Sequence, residues 1–570
     1  SDSSLWAYHS TDGGHTWHTA PLPGERPQWV VYATDPSVFF DRTGAPNVGT
    51  GHYRYNNYRT DVALYRSADL GAHWQTVGYP FVNEDPVDDT STDKYFFTVD
   101  VSPKSPFTDR IYATWVELTN AREVRLVSSY STDQGSSWSR RTALTGPGFY
   151  NAPMPVTTPD GTVIIAYVNY TVGNDSILVV RSKDGGRTWL QAPGIAPYRD
   201  IAPVQPPGDQ DGYPMIKASV CVNSFPSIAV DRSNAHPGRL YVAWCAAEPS
   251  GRVHVYLSTS DDDGAHWSAQ RAIDGDTATE WTDKFFPAVA VDPATGDVGI
   301  AMNDSRSDPG NVLCDLYMLF SRDGGQTFTA RRISDASSDP RIGVDQRQVG
   351  SAVFQFFGDY IGLSGVSGRW APAWTDARSG NDLDIYSAIV EPYAPMPATD
   401  LTARDTLIHG RHARLISWHS EHVSTFGYPL QAPCTYLTRD HTPWLTLCDS
   451  STSYLDTTLP LADVYGITIG DGSWHSTPDS VHVSGTGSVA GDERSAGDLV
   501  GEGTLEVHLH ECPVEAGGTI RLETVSDIAA GIEITWWDAL GRECAPAFTD
   551  QTPSFTHSIS LPAPATEGIL

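Results

Sequence analysis

Ser10-Thr11-Asp12-Gly13-Gly14-His15-Thr16-Trp17 is the first of six copies of one short phrase, Ser-x-Asp-x-Gly-x-x-Trp/Phe, within the first 330 residues of the chain. The others begin at Ser67, Ser131, Ser182, Ser260 and Ser321. An aspartate at a turn accepts hydrogen bonds from the backbone amides that follow it. The glycine supplies a positive φ, and the aromatic residue opens the next strand and packs inward. Each copy therefore reads as a hairpin turn between two strands. Repetition at intervals of roughly 50–80 residues marks a radial or linear repeat architecture.

Working outward from these turns, a four-strand phrase returns. Its first full copy runs from Pro36 to Asp41 (strand A), Asn47 to Tyr53 (B), Asp61 to Ser67 (C), the turn, then His73 to Val77 (D). Further copies open at Phe96, Met154, Pro226 and Ala288, and a last set starting at Tyr360 ends near Val390 without a turn phrase. The strands around Leu5–Ser10 and Trp17 are expected to complete that last set. The pattern predicts an all-β chain whose first part is a six-bladed β-propeller, with seven blades as the alternative because one strand is left over. In such a ring the A strands line the axis. The B–C loops and the D-to-A connections share one face, and the turn phrases lie on the other. The long connections 78–94, 190–224 and 329–357 thus crowd the functional face, far from the turn aspartates, which read as structural.

After Pro395 the texture changes, giving expected domains of 1–394, 395–485 and 486–570. The second alternates like a small β-sandwich and resembles a fibronectin type III domain, in which a Trp strand and a Tyr-rich strand pack across the core. Residues 486–505 are rich in Gly, Ser and Asp and read as a linker. The remainder is a further small β-unit, also expected to be a sandwich. Its stretch Asp538-Ala539-Leu540-Gly541-Arg542-Glu543-Cys544 resembles the sorting domains of type IX secretion substrates. Carbohydrate-binding or spacer roles fit these modules equally well.

Composition narrows the setting. A chain of 570 residues exceeds one ordinary core, so two or three domains are expected. No apolar run reaches the roughly 20 residues of a membrane helix, and no signal peptide opens the chain, so Ser1 reads as a mature or trimmed start. The formal charge of −32 repels polyanions, which argues against nucleic acid or membrane insertion and suits a secreted or cell-surface protein. The expected partners are an extracellular glycan or glycoprotein, and a cell-surface or protein partner for the C-terminal β-domains. Among seven cysteines, Cys434 with Cys448 and Cys512 with Cys544 would each close a loop in the C-terminal third. No cofactor is required by this reading. Calcium is the one candidate, through the acidic loop Asn83-Glu84-Asp85-Pro86-Val87-Asp88-Asp89, which lacks an EF-hand spacing.

The turn phrase on a propeller resembles the sialidase (neuraminidase) superfamily, also called BNR or Asp-box proteins, over about residues 1–392. The resemblance implies a glycosidase in which three arginines grip a substrate carboxylate, a Tyr–Glu couple supplies the nucleophile, and an Asp is the acid/base. Three arginines are not all found. The family's Phe/Tyr-Arg-Ile-Pro stretch corresponds to Ala33-Thr34-Asp35-Pro36, without the arginine. The following loop, Gly51 to Asp61, offers Arg54 and Arg59 as guanidinium sources and Asp61 as the acid. Gly358-Asp359-Tyr360-Ile361-Gly362-Leu363 echoes the nucleophile motif, which makes Tyr360 the carried-over nucleophile. Glu248 and Glu117, after B strands, are candidates for its partner, with solvated loop acids as the alternative. Asn303-Asp304-Ser305-Arg306 and Thr375-Asp376-Ala377-Arg378 repeat at one B–C position. Their Asp-x-Arg spacing suits an ion pair that fixes the loop, with ligand contact by Arg306 or Arg378 as the second reading. Thr92-Asp93-Lys94-Tyr95 and Thr282-Asp283-Lys284-Phe285 repeat where connections enter the axis, so Lys94 and Lys284 either line the opening or pair with neighbouring aspartates. The reading is a sialidase-like glycoside hydrolase acting on an extracellular glycan, not a standard exo-sialidase. The alternative is a non-catalytic protein that binds glycans or proteins through the propeller face.

Overall fold

A computed structural model describes residues 5–483, apart from positions 15, 24–29, 55–59, 84–89, 119–123, 171–174, 193, 198–202, 205–212, 218–219, 276–281, 343–344, 350–351, 381, 409–410, 450, 459–460, 463 and 473. Beyond 483 it describes only the strands Thr519–Thr524, Ile532–Trp537, Glu543–Asp550 and His557–Pro562. Within these residues the fold is all-β.

Six sheets carry an inner strand and run outward as antiparallel meanders, so the first part is a β-propeller. Blade 1 is Val30–Phe40, Pro46–Arg54, Thr60–Arg66 and Gln75–Phe81. Blade 2 is Ser91–Val99, Ile111–Leu118, Val124–Ser131 and Thr142–Ala143; blade 3 is Tyr150–Thr157, Val163–Asn169, Ser176–Ser182 and Leu190–Gln191. Blade 4 is Ser227–Val230, Leu240–Ala247, Val253–Ser260 and Arg271–Ala272; blade 5 is Lys284–Val291, Val298–Asp304, Asp315–Ser321 and Thr329–Arg332. Blade 6 has three strands, Gly362–Val366, Arg369–Asp376 and Asp384–Ser387. The N-terminal pair Trp6–His9 and His18–Pro21 was expected to complete blade 6. Among the described residues it instead forms a sheet of its own, and its Leu5, Ala7 and Leu22 pack on Val48, Ala63 and Tyr65 of blade 1. Asp384–Ser387 already fills the third position of blade 6. The leftover strands therefore stand as a separate half-blade hairpin.

The turn phrases are built as their residue types demand. In each, the serine hydroxyl accepts the amide of the glycine four residues on, as in Gly135 N to Ser131 Oγ at 2.8 Å, and that glycine has positive φ. The aspartate accepts the amide and the side chain of the residue four positions on, as with Asp184 and Thr188 at 2.9 and 2.6 Å. These bonds pull the carboxylates down. Asp69 is held at about 2 by its bond from His73, and Asp184, Asp262 and Asp323 also reach about 2 because the same bonds outweigh burial.

Blades pack through aromatic wedges: Phe39 stacks on Phe97, Phe81 on Trp115, and Phe320 meets Trp370 edge-on. Close approach dictates Gly49, because a Cβ there would lie 2.0 Å from the Phe97 ring. The inner strands of blades 1, 2, 3 and 5 each carry a bulge, with positive φ at Asp35, Lys94, Ala152 and Phe286. A bulge re-aims the side chain it carries, and the one in blade 1 carries an acid and the one in blade 2 a base. Two of the long connections, 190–224 and 329–357, share a further sheet. Val220–Cys221 runs parallel to Ala352–Phe356, with Val220 opposite Gln355 and Cys221 opposite Phe356.

Contacts divide the chain into one unit of residues 1–396, 422–432 and 471–475, and a second made of the rest. In the second unit, Thr399–Ile408, Arg411–His419 and Ser453–Asp456 form one sheet. Pro433–Arg439, Thr442–Leu447, Val464–Asp471 and Asp479–His482 form another. Trp418 and Tyr465 are buried in this unit. Cys434 and Cys448 are disulfide-bonded; Cys512 lies outside the described residues.

Because the turn carboxylates titrate low in the folded chain, their contribution to stability is present above the ordinary carboxylate range and is lost as pH falls toward about 2. We expect Asp184→Ala to cost about 1–2 kcal/mol in urea denaturation at pH 7, and markedly less at pH 2.

Candidate functional site

Beside the inner strands of blades 1 and 2, where the chain runs from Phe356 toward the inner strand of blade 6, one ammonium sits among three carboxylates. Lys94 Nζ lies 2.7 Å from Asp359 Oδ2, 3.2 Å from Asp35 Oδ1 and 3.5 Å from Asp93 Oδ1. Burial works against charge on Lys94, but Asp359, Asp93 and Asp35 outweigh it and hold the ammonium firmly protonated. Tyr360 donates its phenol to Asp35 Oδ1 at 3.3 Å, and its ring lies 5.6 Å from that of Phe96. Burial, then Asp35 and Asp359, raise the Tyr360 phenol well above its ordinary value. It stays protonated unless a base takes the proton as it reacts.

Asp93 differs from its neighbours. Asp35 and Asp359 keep 12 % and 18 % of their side-chain surface, whereas Asp93 keeps 45 %. Surrounding protein raises its carboxyl to about 6, against the pull of Lys94 and with the repulsion of Asp35 and Asp359 added. A carboxyl raised in this way and still reachable from solvent is suited to give up a proton in mildly acidic solution.

The residues singled out in the sequence separate into groups. Lys94 and Tyr360 meet at the axis through Asp35. Glu248, Lys284 and Arg306 belong to a second network, between blades 4 and 5. Glu248 binds Arg252 at 2.8 Å and faces His254 Nε2 at 3.6 Å, and His254 Nδ1 bonds Asp274 at 2.9 Å. Arg306 binds Asp304 and donates to the Asp274 carbonyl at 2.7 Å, with Tyr317 under its guanidinium. Lys284, fully buried, donates to Thr282 Oγ1 at 2.7 Å and stands opposite Asp304. Arg378 repeats the Arg306 arrangement in blade 6, bound to Asp376 at 2.8 Å and to Asp335, over the Tyr386 ring. Glu117 is buried against Arg125 and Arg141 at 2.8 and 3.0 Å. Asp61 sits within a strand of blade 1, accepting the Asn83 amide at 2.9 Å. Arg54 ends strand B of blade 1, and Arg59 lies outside the described residues.

The two lysine repeats turn out to be offset. The bulge of blade 2 falls on Lys94 and that of blade 5 on Phe286, so Lys284 matches Thr92 instead. One lysine points into the axis cluster, and the other ties strand A to strand B. The acids Asp35, Asp93 and Asp359 had not been singled out as site residues, although each stands beside a quoted motif residue. Among the described residues no group of His, Cys, Asp or Glu is arranged to hold a metal ion, and residues 84–89 of the acidic loop lie outside them. No described helix is long and apolar enough to cross a membrane.

No family model matches the chain. Over 154 residues it is 29 % identical to the sialidase of Micromonospora viridifaciens, an alignment covering 24 % of this chain and 21 % of that protein. The chain thus spans about a fifth of the length of this curated relative. Among solved structures, a Hadza microbial sialidase superposes with a TM-score of 0.41 at 16 % identity, covering 62 % of this chain and 65 % of the other. The α-L-arabinanase of Penicillium chrysogenum gives 0.41 at 12 % identity, covering 68 % and 98 %. The NanB sialidase of Streptococcus pneumoniae gives 0.38 at 12 % identity, covering 65 % and 69 %. The chain is a β-propeller protein, and one stretch of its sequence is similar to a sialidase.

Removing the ammonium would leave three carboxylates facing one another. We expect Lys94→Met to destabilise the propeller by about 3–5 kcal/mol at pH 7 in chemical denaturation. The loss should shrink in acid, as protonation of Asp93 removes one of the three charges.

Proposed function

We propose that this chain is an extracellular, sialidase-like glycoside hydrolase whose reaction centre is the axial cluster. Tyr360 attacks the anomeric carbon while Asp35, at 3.3 Å, takes its proton. Asp93 protonates the departing glycosidic oxygen, a role that suits a carboxyl near 6. In the second step Asp93 deprotonates the incoming water, the bond to Tyr360 breaks, and the phenol recovers its proton from Asp35. Lys94 and Asp359 hold the two aspartates in place. Asp35 and Asp93 thereby take the parts first sought in Glu248 and Asp61. The observation that carries this reading is the Tyr360–Asp35 hydrogen bond beside Asp93, the most solvent-open carboxylate of the cluster. The partial sequence similarity to a sialidase supports the chemistry.

The substrate class differs from that of an exo-sialidase. At the position where the resemblance calls for an arginine stands Thr34, and Arg306 and Arg378 are occupied by aspartates. A sugar without a carboxylate fits this centre better than sialic acid. The mechanism requires no cofactor. The second unit fits a fibronectin type III-like module and the C-terminal strands an attachment or sorting unit, with a cell-surface or protein partner. The disulfide suits an oxidising compartment.

The ion pairs of Arg306 with Asp304 and of Arg378 with Asp376 and Asp335 favour a second reading, a glycan- or protein-binding propeller without turnover. A panel of neutral and sialyl aryl-glycosides, paired with a glycan-binding screen, separates the two. We expect turnover of a neutral glycoside, reduced at least about 100-fold in Tyr360→Phe, Asp35→Asn and Asp93→Asn. The rate should fall as pH rises through about 6, because the protonated form of Asp93 is the competent one. Binding without turnover, indifferent to Tyr360→Phe, would establish the second reading.

A further inference from the structure

We propose that Asn223 is a positioning residue for the axial site, fixing the Asp359–Tyr360 corner from across the ring; its effect on rate rests on the glycosidase reading above. Asn223 lies just after Val220–Cys221, the strand that runs parallel to Ala352–Phe356. Both strands lead within three residues to the axis, one to Asn223 and the other to Asp359. The sheet shared by the two long connections therefore delivers these residues together.

The side chain has only one workable orientation. Asn223 Oδ1 accepts the Phe225 amide at 3.1 Å, so Nδ2 must face the other way. There it donates to the Asp359 carbonyl at 2.8 Å and to Asp359 Oδ1 at 3.2 Å. The backbone is held as well, since the Cys245 thiol donates to the Asn223 carbonyl at 3.0 Å. The Asp359 carboxylate is divided accordingly, Oδ1 toward Asn223 and Oδ2 toward Lys94. The bonded carbonyl belongs to the peptide that joins Asp359 to Tyr360, so the same amide sets where the phenol stands. Aspartate at 223 could not donate either bond and would add a charge beside Asp359. Alanine would remove both bonds without adding one.

This makes a structural role and a positioning role separable. We expect Asn223→Ala to lower kcat about 10- to 100-fold with KM within about twofold, because a displaced nucleophile costs rate and not binding. Asn223→Asp provides a readout that needs no turnover. Asp93 is faced by Lys94, Asp35, Asp359, Tyr95 and Tyr360. An added carboxylate behind Asp359 should move the Asp93 midpoint upward from about 6 in a carboxyl-carbon NMR titration. Wild-type kcat in Asn223→Ala, or an unmoved Asp93 midpoint in a folded Asn223→Asp, would overturn the assignment even if melting temperatures fell. If the wild type turns over nothing, the glycosidase reading fails, and the titration alone decides the role of Asn223.

Discussion

One buried ammonium governs the centre of this ring. Three aspartates, Asp35, Asp93 and Asp359, converge on Lys94, which pairs with all of them. Coulomb attraction at about 3 Å in a partly dry site is strong enough to hold strands of different blades together. One base cannot serve three acids equally. Asp359 and Asp35 take the shorter contacts, and the more open Asp93 is left with a raised affinity for its proton.

The scaffold makes that convergence possible through two backbone devices. Turn phrases close the C–D hairpins of blades 1 to 5, their carboxylates held low by bonds from local amides and neighbouring side chains. Bulges on the inner strands then re-aim single side chains toward the axis, with positive φ at residues that have a Cβ. Such backbone is costly for Asp35 and Lys94, and the ion pairs they make with each other compensate it. The parallel strands of the two long connections brace the same centre from the functional face.

Much of the fold was legible because its signals are local. The serine, aspartate, glycine and aromatic of each turn phrase have fixed jobs, so the blades could be counted from residues such as Ser131, Asp133 and Gly135. The separate hairpin at Trp6–His9 was not legible, because its turn phrase is the same whether or not the strands join blade 6. At the site, Tyr360 and Lys94 stood out as a motif echo and a scarce lysine. Their partners did not, because Asp35 and Asp359 meet only through ring closure across more than 300 residues of chain. The apparent lysine repeat misled for a related reason: a bulge shifted by two residues sends Lys284 between strands and Lys94 to the axis. The Asp-x-Arg spacing of Arg306 and Arg378 left a loop-fixing pair and substrate contact both open, and only the side-chain geometry shows the ion pairs.

If the axial phenol forms a bond to sugar during turnover, that bond can be trapped on the protein. The protein would be incubated with a panel of 2-deoxy-2-fluoro glycosyl fluorides, which slow the release of a glycosyl-enzyme, and its mass and peptides then measured. The account predicts a single added sugar located on Tyr360. A sugar on Asp35 or Asp359, or no adduct while an ordinary glycoside is still turned over, would contradict it.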